Sequence, residues 1–332
     1  MPGSVAGKSY VITGGASLVG SHLADKLLAG GASEVRLLEN FALGTPDTIA
    51  HLQSNPKVKL IRGDILRLNE MIDATAGTAG VFALAGFLTL PMSQNPALGA
   101  AVNSVGMVNV LEAARIGGAK RVIFSSSTAV YGNSNPPEMV EDTPYVSAGL
   151  TPASAVYSAS KLLGEGLCAL YSRLHGVEFN VLRFSTVYGE RQHWRAVNAA
   201  FLAEIYERVR KGESPVIAGD GKEVHDYIHV DDVAQACLLA MTSEANGQTM
   251  NVATGTDTTL TELADAIIAA AGAKNLAIKY MEDTRTVKSS SVNHLRNSRA
   301  RAERLIGWTP KVSLSQGVAR YIAWREAEAA KS

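Results

Sequence analysis

The chain of 332 residues contains only two cysteines, Cys168 and Cys237, and this scarcity excludes a disulfide-stabilised scaffold. Both lie in apolar runs and neither belongs to a CxxC pair, so we expect buried free thiols. Free thiols suit a reducing compartment, and the first residues contain no long apolar stretch that would predict a signal peptide. The expected location is therefore the cytoplasm.

The sequence also lacks an excess of charge of either sign and long hydrophobic runs. Lys plus Arg and Asp plus Glu each number 31, and a formal charge of zero argues against a dedicated nucleic-acid binder. No run of 18 uncharged apolar residues predicts a membrane span. Hydrophobic residues make up 46% of the chain and charged residues 19%, which is enough for a large core and excludes a disordered chain.

Apolar strands and helices alternate through the first half of the chain. Short β-rich runs at 9–13, 34–39, 57–61, 80–85, 121–125 and 177–184 are separated by helical stretches that include 18–29, 68–76, 97–117 and 154–175. Near-continuous apolar strands separated by helices are typical of a parallel sheet covered on both faces. The predicted fold class is α/β, a doubly wound parallel sheet of the Rossmann type with a smaller, mostly helical C-terminal substrate domain.

The alternation loosens after residue 189. Helices are predicted at 196–211, 231–241, 260–271 and 313–329, and the one at 231 is expected to begin on an acidic cap. No clean linker separates the two parts, so the second domain is expected to consist of insertions and the C-terminal tail. We assign 1–188 to the dinucleotide-binding domain, with 224–254 returning to it, and 189–223 and 255–332 to the substrate-binding domain.

Glycines follow the first strand in the run TGGASLVG, Thr13–Gly20. Glycines at a strand-to-helix turn permit tight backbone angles and close approach of a pyrophosphate, which the helix N-terminus attracts. Glu39 ends the second strand, where a carboxylate accepts hydrogen bonds from a ribose 2′-hydroxyl and repels a 2′-phosphate. No Lys or Arg occurs between residues 40 and 56. The pattern predicts a dinucleotide site that prefers NAD to NADP.

Tyr157 and Lys161 lie near the start of the helix that follows a serine-rich strand end, Ser125–Ser127. A spacing of four residues places the ammonium beside the phenol on one helix face. A nearby cation favours phenolate and is expected to lower the pKa of Tyr157, as suits a general base that removes a hydroxyl proton. The serines end a strand at the sheet edge where ligands bind.

Six motifs occur in a fixed order: TGGASLVG, Gly63-Asp64-Ile65, SSSTAVYG (125–132), YSASK (157–161), RFSTVYG (183–189) and GDGKEVHDYIHVDDV (219–233). Together they resemble those of the extended short-chain dehydrogenase/reductases, close to the UDP-glucose 4-epimerase group of the NAD-dependent epimerase/dehydratase family. The resemblance extends over about residues 8–323, nearly the whole chain.

This resemblance implies a role for each matching position. Tyr157 is the implied base, Ser127 the hydrogen-bond partner of the reacting oxygen, and Asn103 an active-site asparagine; Lys161 completes the catalytic set. The implied cofactor-binding residues are Gly14, Ala16, Ser17, Leu18, Val19, Gly20, Glu39, Asn40, Asp64, Ile65, Ala83, Ala85, Gly86, Ser125, Tyr157, Lys161, Phe184 and Val187. The proposed substrate-binding residues are Ser127, Thr186, His225, Arg285 and Arg296.

Several positions depart from the family pattern. Ser17 replaces a loop glycine, where a small residue still fits, and Ala83 replaces a histidine. Thr186 replaces an asparagine and His225 an arginine, two residues that in the family often bind the substrate diphosphate, and imidazole is not equivalent to guanidinium. These two replacements keep open a substrate without a diphosphate. The acidic pair that 4,6-dehydratases carry after the active-site Ser or Thr is missing at Thr128-Ala129, so dehydration is not expected.

Three further clusters receive structural interpretations. His225 and His229 lie in a segment predicted as extended, about 13 Å apart, too far to share one metal ion. Glu141-Asp142 predicts a solvated turn, and the basic stretch Arg299–Arg304 a solvated helix face. The apolar stripes at 98–116 and 162–174 predict core together with the seam of a homodimer, which the family resemblance implies as a four-helix bundle.

The expected function is an NAD-dependent sugar-nucleotide epimerase, most simply a UDP-hexose 4-epimerase that abstracts and returns a hydride through a 4-keto intermediate. The alternative is an NAD-dependent dehydrogenase of a sugar, sugar acid or other secondary alcohol, with net release of NADH. A non-catalytic NAD-sensing protein is a third class, against which the catalytic set argues. The expected cofactor is NAD, and the expected partners are a small-molecule substrate and a second copy of the chain, with no nucleic acid, membrane or metal.

Overall fold

The computed structural model describes residues 3–192, 200–273, 275–283 and 296–330, with the backbone alone at residue 200. Its strands are β1 (Ser9–Thr13), β2 (Glu34–Glu39), β3 (Val58–Arg62), β4 (Gly80–Ala83), β5 (Arg121–Ser127), β6 (Glu178–Phe184), β7 (Thr186–Tyr188), β8 (Val216–Ala218), β9 (Val224–His225), β10 (Tyr227–His229), β11 (Gln248–Val252), β12 (Thr258–Thr259) and β13 (Lys279–Met281). Its α-helices are α1 (Leu18–Ala29), α2 (Leu68–Thr75), α3 (Thr89–Gln94), α4 (Pro96–Gly117), α5 (Pro152–His175), α6 (Ala200–Arg210), α7 (Val230–Thr242), α8 (Leu260–Ala270), α9 (Ala300–Ile306) and α10 (Leu314–Ala329), and 3₁₀ helices lie at Pro46–Leu52 and Thr128–Tyr131.

The central sheet has seven parallel strands in the order β3-β2-β1-β4-β5-β6-β11. Strand order reverses direction between β1 and β4, and in such sheets ligands bind at the carboxyl ends of the strands beside this switch point. The inner strands are apolar on both faces because helices cover both. The predicted fold class, a doubly wound Rossmann-type sheet, is confirmed.

Each face of the sheet has its own apolar core. On one face α1 and α7 pack together, and their buried residues include Leu23, Leu27 and Val233. On the other face α4 packs between α2 and α5, with Leu111 and Cys168 in the core. Cys168 and Cys237 are both buried free thiols, as predicted.

Most predicted elements form within one to four residues of their expected bounds. The expected acidic cap of α7 is wrong, because the His229 side chain caps this helix by accepting a hydrogen bond from the backbone N–H of Asp231 at 3.2 Å. The aspartates lie in the first turn, where the helix dipole favours them. Helix α3 was not expected, and the part of the predicted 196–211 helix before residue 200 lies outside the described residues.

The second region has a core of its own, made by α6, α8 and α10 around β8 and β10. The returning segment divides between the two cores, since β11 joins the main sheet and α7 packs on α1, whereas β9 pairs with β12. The residue bounds assigned to the two domains stay a prediction.

Helix α4 is long and apolar enough to cross a bilayer by length and composition alone, with a mean hydropathy of 1.3. Of the 18-residue window, 44% is buried inside the protein, and Asn103 and Asn109 are among the buried side chains. The packing of α4 against the sheet, α2 and α5 is that of a core helix.

Candidate active site

The turn between β1 and α1 is built around Gly14, which has a φ of +69°. A Cβ at this position would lie 3.2 Å from the backbone of Ala85, so both conformation and space require glycine. The hydroxyl of Thr13 accepts hydrogen bonds from the N–H groups of Leu84 and Ala85, at 3.1 and 3.2 Å, and ties β1 to the residues after β4. The N-terminus of α1 therefore lies at the switch point, where its free N–H groups favour an anion.

Ser17, the departure from the glycine pattern, is the N-cap of α1. Its φ of −82° is an ordinary value for any residue, and its hydroxyl accepts a hydrogen bond from the Gly20 N–H at 3.1 Å. A serine at this position thus needs no glycine conformation and stabilises the first turn of the helix.

One cleft of about 260 Å³ runs along the carboxyl edge of the sheet from the glycine turn to the start of α5. The predicted site residues that line it are Gly14, Ala16, Ser17, Leu18, Val19, Glu39, Asn40, Asp64, Ile65, Ala85, Gly86, Ser125, Ser127, Tyr157, Lys161, Phe184 and Val187. Their convergence from β1, β2, β3, β5, α5 and β6 places the predicted dinucleotide and catalytic groups in one space. The binding role of each residue stays a prediction.

Glu39 is buried at the end of β2, and backbone N–H groups bind both oxygens of its carboxylate. Ala16 donates to Oε2 at 3.1 Å, and Phe41 donates to Oε1 at 2.9 Å. Burial raises the pKa of Glu39, and these two hydrogen bonds oppose that rise. A carboxylate oxygen can accept a further bond, so Glu39 keeps acceptor capacity for a ribose hydroxyl.

Lys161 is buried, and its ammonium donates a hydrogen bond to the carbonyl of Ser125 at 2.8 Å. Burial lowers the pKa of Lys161 to about 8, and the Glu165 carboxylate acts in the opposite direction. The Lys161 Nζ lies 5.9 Å from the centre of the Tyr157 ring. The cation therefore lies within reach of the aromatic face of the base.

The expected lowering of the Tyr157 pKa is wrong for the chain by itself. Burial raises the pKa of Tyr157, and a hydrogen bond with Ser127 opposes the rise. The physical reason is that Tyr157 is desolvated, while the Lys161 ammonium binds the Ser125 carbonyl instead of the phenol oxygen. Ser127 and Tyr157 are nevertheless in contact, as the predicted catalytic set requires.

A buried charge network behind the catalytic residues was not foreseen in the sequence. Glu165 and Arg183 form a two-point ion pair, with Nε to Oε1 at 2.9 Å and Nη2 to Oε2 at 2.6 Å. Ser126 also donates to Glu165 Oε1, at 2.5 Å. Glu165, which lies one helical turn after Lys161, thus holds Ser126 in place between Ser125 and Ser127.

Three predicted residues lie behind the cleft instead of in its wall. The Asn103 amide accepts from the Phe87 N–H at 2.7 Å and donates to the Phe87 carbonyl and to Ser160 Oγ, both at 3.0 Å. Asn103 is therefore a positioning residue here, because its amide holds the backbone that follows Gly86. Gly20 and Ala83 are buried, and Ser125 donates to the Ala83 carbonyl at 2.9 Å.

The predicted substrate residues other than Ser127 do not line this cleft where the structure describes them. His225 is buried, with Nε2 at 2.8 Å from Glu223 Oε1, and the Thr186 N–H donates to the Asp226 carbonyl at 2.9 Å. The Arg296 side chain is 66% exposed, at 4.0 Å from Asp257. Arg285 lies outside the described residues.

The two clusters expected to be solvated are solvated only in part, since Asp142 and Arg304 are exposed whereas Glu141 is not. Glu141 is buried, and its Oε1 accepts from the Asn251 N–H at 2.9 Å. Arg301 lies 3.4 Å from Glu141 and 2.7 Å from Asp142, so it connects this loop to α9. The His225 and His229 segment is extended, as predicted, and among the described residues no cluster of potential metal ligands was found.

Arg191 and Gln192 also line the cleft and were missed in the sequence. Both residues follow directly after the motif RFSTVYG, which ends at Gly189, and this proximity was the one sequence feature that could have indicated a place at the cleft. Arg191 has a φ of +64°, unusual for a residue with a side chain.

A model of the NAD-dependent epimerase/dehydratase family matches residues 10–253, about three quarters of the chain. The chain belongs to this family. The match spans the glycine turn, the predicted catalytic set and the returning segment, so the protein is an NAD-dependent enzyme of the extended short-chain dehydrogenase/reductase type.

Curated relatives of this family member cover nearly its whole length. A putative UDP-glucose 4-epimerase of Methanocaldococcus jannaschii is 32% identical, over 95% of this chain and 97% of the relative. The UDP-glucose 4-epimerase of Mycolicibacterium smegmatis is also 32% identical, over 94% and 96%. A dTDP-glucose 4,6-dehydratase of Streptomyces griseus is 30% identical, over 95% and 93%. The chain is thus a sugar-nucleotide epimerase/dehydratase family member.

Solved structures agree with this placement. The UDP-glucose 4-epimerase of Thermotoga maritima, crystallised with UDP-glucose, superposes with a TM-score of 0.85 at 28% identity and covers 97% of this chain and 99% of its own. That of Thermus thermophilus, in complex with NAD, has a TM-score of 0.82 at 29% identity, with 96% and 99% covered.

The residues present fit NAD. A Cβ at Gly14 would lie 3.2 Å from the backbone of Ala85, so glycine keeps this turn tight beside the α1 N-terminus, and helix N-termini favour a pyrophosphate. Glu39 offers acceptor capacity at the end of β2. The enzyme therefore uses NAD, as predicted.

Proposed function

We propose that this enzyme is a UDP-hexose 4-epimerase. NAD supplies the hydride acceptor and donor of such a reaction. Tyr157 removes the proton of the C4 hydroxyl, Ser127 donates a hydrogen bond to the same oxygen, and the buried Lys161 stabilises negative charge that develops on the phenol oxygen. The 4-keto sugar then turns over in the cleft, and Tyr157 returns the proton after reduction on the other face.

The observation that supports this proposal is the composition of the cleft wall. Ser127, Tyr157 and Lys161 form an alcohol-oxidising set. In the described part of the wall the carboxylates are Glu39, the last residue of β2, and Asp64, two residues after β3. An elimination of water needs an acid and a base beside the sugar, and Thr128-Ala129 supply neither. The set therefore favours epimerisation over dehydration.

The alternative is a net dehydrogenase of a sugar, sugar acid or other secondary alcohol. Thr186 and His225 favour it, because they replace the family's diphosphate ligands, and the His225 side chain lies 2.8 Å from Glu223 within the chain. A panel of nucleotide sugars and free sugars separates the two functions. Isomerisation of a nucleotide sugar by NMR, without accumulation of NADH, supports the epimerase. NADH in proportion to a non-nucleotide product supports the dehydrogenase.

We also propose that the enzyme is a homodimer. An apolar stripe with heptad spacing lies on α5 at Val156, Leu163 and Leu170, each 43–49% exposed, and Val105 and Ile116 on α4 are 51% and 49% exposed. Two copies that pair these helices about a two-fold axis form a four-helix bundle and bury both stripes. For a chain with two reduced thiols we propose the cytoplasm as the location.

A further inference from the structure

Two residues of the described chain other than glycine have a positive φ, Phe41 at 60° and Arg191 at 64°. Arg191 lines the dinucleotide cleft, and Phe41 lies between two residues that do, Asn40 and Ala42. A left-handed backbone at a residue with a Cβ persists only where the surroundings impose it, and such residues cluster at ligand clamps. The contacts that impose this backbone conformation on Arg191 are therefore expected at the cleft.

The segment before Arg191 is anchored to the second region. Glu190 Oε1 accepts a hydrogen bond from Arg320 Nε of α10 at 2.6 Å, and Glu190 Oε2 lies 3.0 Å from His229 Nε2. Gln192 Oε1 accepts from the Gly189 N–H at 3.3 Å and closes the turn. The segment 189–192 is thus fixed by contacts with the second region of the protein.

Arg191 extends in the opposite direction, to the dinucleotide-binding side. Its Nη2 donates to Asp25 Oδ2 of α1 at 2.6 Å. His51, on the 3₁₀ helix Pro46–Leu52, lies 3.0 Å from Asp25 Oδ1 and 3.1 Å from Arg191 Nη1. One guanidinium therefore connects a wall of the cleft to α1 and to the 3₁₀ helix, whose Thr48 also lines the cleft.

The position of this cluster is the rim of the cleft. Arg191 contributes to the lining, yet 21% of its side chain is exposed, and Asp25 is 38% exposed and does not line the cleft. An ion pair this exposed adds little to folding stability. It nevertheless joins α1 and the 3₁₀ helix to the segment 189–192, of which Arg191 and Gln192 line the cleft.

We propose that Arg191 is a cofactor-retaining residue: its guanidinium, bound to Asp25 and His51, fastens the rim of the dinucleotide cleft and slows the escape of NAD. The inference rests on the proposed function, because an enzyme that returns the hydride in every turnover keeps the same NAD. A dehydrogenase exchanges its cofactor after each turnover and gains nothing from such a contact.

The test is the dissociation rate of NAD from the holoenzyme, measured by loading with radiolabelled NAD and chasing with excess unlabelled NAD. We expect Arg191→Ala and Asp25→Asn each to raise the rate about five- to tenfold, the usual range for loss of one solvent-accessible hydrogen bond. The double variant should be no faster than either single variant, because both remove one interaction. Arg210→Ala, which removes an exposed ion pair with Glu207, is the control and should leave the rate unchanged.

Asp25→Asn makes the test decisive, because it leaves Arg191 in place and alters a residue outside the cleft wall. An unchanged rate in both variants would overturn the proposal. A faster rate in Arg191→Ala alone would also overturn it, since Arg191 would then act by touching the dinucleotide. Dissociation is measured without substrate, so failure here leaves the epimerase proposal intact, and absence of epimerase activity leaves these rates unaffected.

Discussion

The ammonium of Lys161 lies 2.8 Å from the carbonyl oxygen of Ser125 and is anchored there, at the end of β5. The same strand end carries Ser127, which contacts Tyr157. Strand and helix thus hold the cation, the hydroxyl and the phenol together, so the chemistry of the site depends on a few fixed contacts that substitutions can test.

Replacement of Tyr157 by phenylalanine should reduce turnover by at least about 10²-fold, the usual loss when a general base is removed. NAD should still bind, because the Lys161 contact with Ser125 does not involve the phenol. Steady-state kinetics and calorimetric titration of NAD measure the two effects. Near-normal turnover would remove Tyr157 from the mechanism.

The substitution Glu165→Gln should move the basic limb of the activity profile to lower pH. Lys161 has a pKa lowered to about 8, so it loses its charge as the pH rises through that value, and Glu165 opposes this loss. Without the carboxylate the pKa of Lys161 falls further, and activity should decline at a lower pH. The readout is kcat/KM against pH, with Glu303→Gln on the exposed face of α9 as control. A limb that stays in place in Glu165→Gln would show that Glu165 only supports the fold.

Cofactor preference should depend on Glu39 and, unexpectedly, on Arg62. Arg62 is paired in register with Glu39 across β2 and β3, and its guanidinium lies 5.9 Å from the Phe41 ring centre. We expect the parent to prefer NAD and Glu39→Ala to narrow the gap to NADP about tenfold, since it removes repulsion of a 2′-phosphate. The double variant Glu39→Ala/Arg62→Ala should bind NADP more weakly than Glu39→Ala. Calorimetry of both cofactors decides, and equal affinities in the parent would refute the argument.

The proposed dimer should dissociate when a charge enters the α5 stripe. Leu163 is 48% exposed, and Leu163→Glu would bury a carboxylate at the seam. Leu60→Glu, at a 43% exposed position on the edge strand β3, is a matched control. Sedimentation velocity should show a dimer for the parent and for Leu60→Glu, and a monomer for Leu163→Glu. A monomeric parent would contradict the dimer proposal directly.

The features that the sequence predicted are local ones. The glycine turn, Glu39 at a strand end and the Tyr157–Lys161 spacing each follow from a few neighbouring residues and the direction of a strand. The apolar strand runs separated by helices predicted the parallel sheet, and each run is likewise visible in a few neighbouring residues.

The features that the sequence did not predict join distant segments. Arg183 meets Glu165 across 18 residues, and Arg191 meets Asp25 across 166. Nothing in the local pattern of a charged residue distinguishes a solvated side chain from a buried pair, which is why Glu141 was expected in solvent. The direction of the Tyr157 pKa shift was missed similarly, because it depends on burial and on where the Lys161 ammonium is anchored.

The most direct test of the proposed function is the fate of the hydrogen at C4. A UDP-hexose deuterated at C4 is incubated with the holoenzyme, and product and solvent are followed by NMR while NADH is followed by absorbance. If the hydride is removed and returned within one cleft, the product is the epimeric sugar with its deuterium retained at C4, and no NADH appears in solution. Deuterated NADH released in proportion to a keto product, or an epimer that has exchanged deuterium with water, would contradict this account.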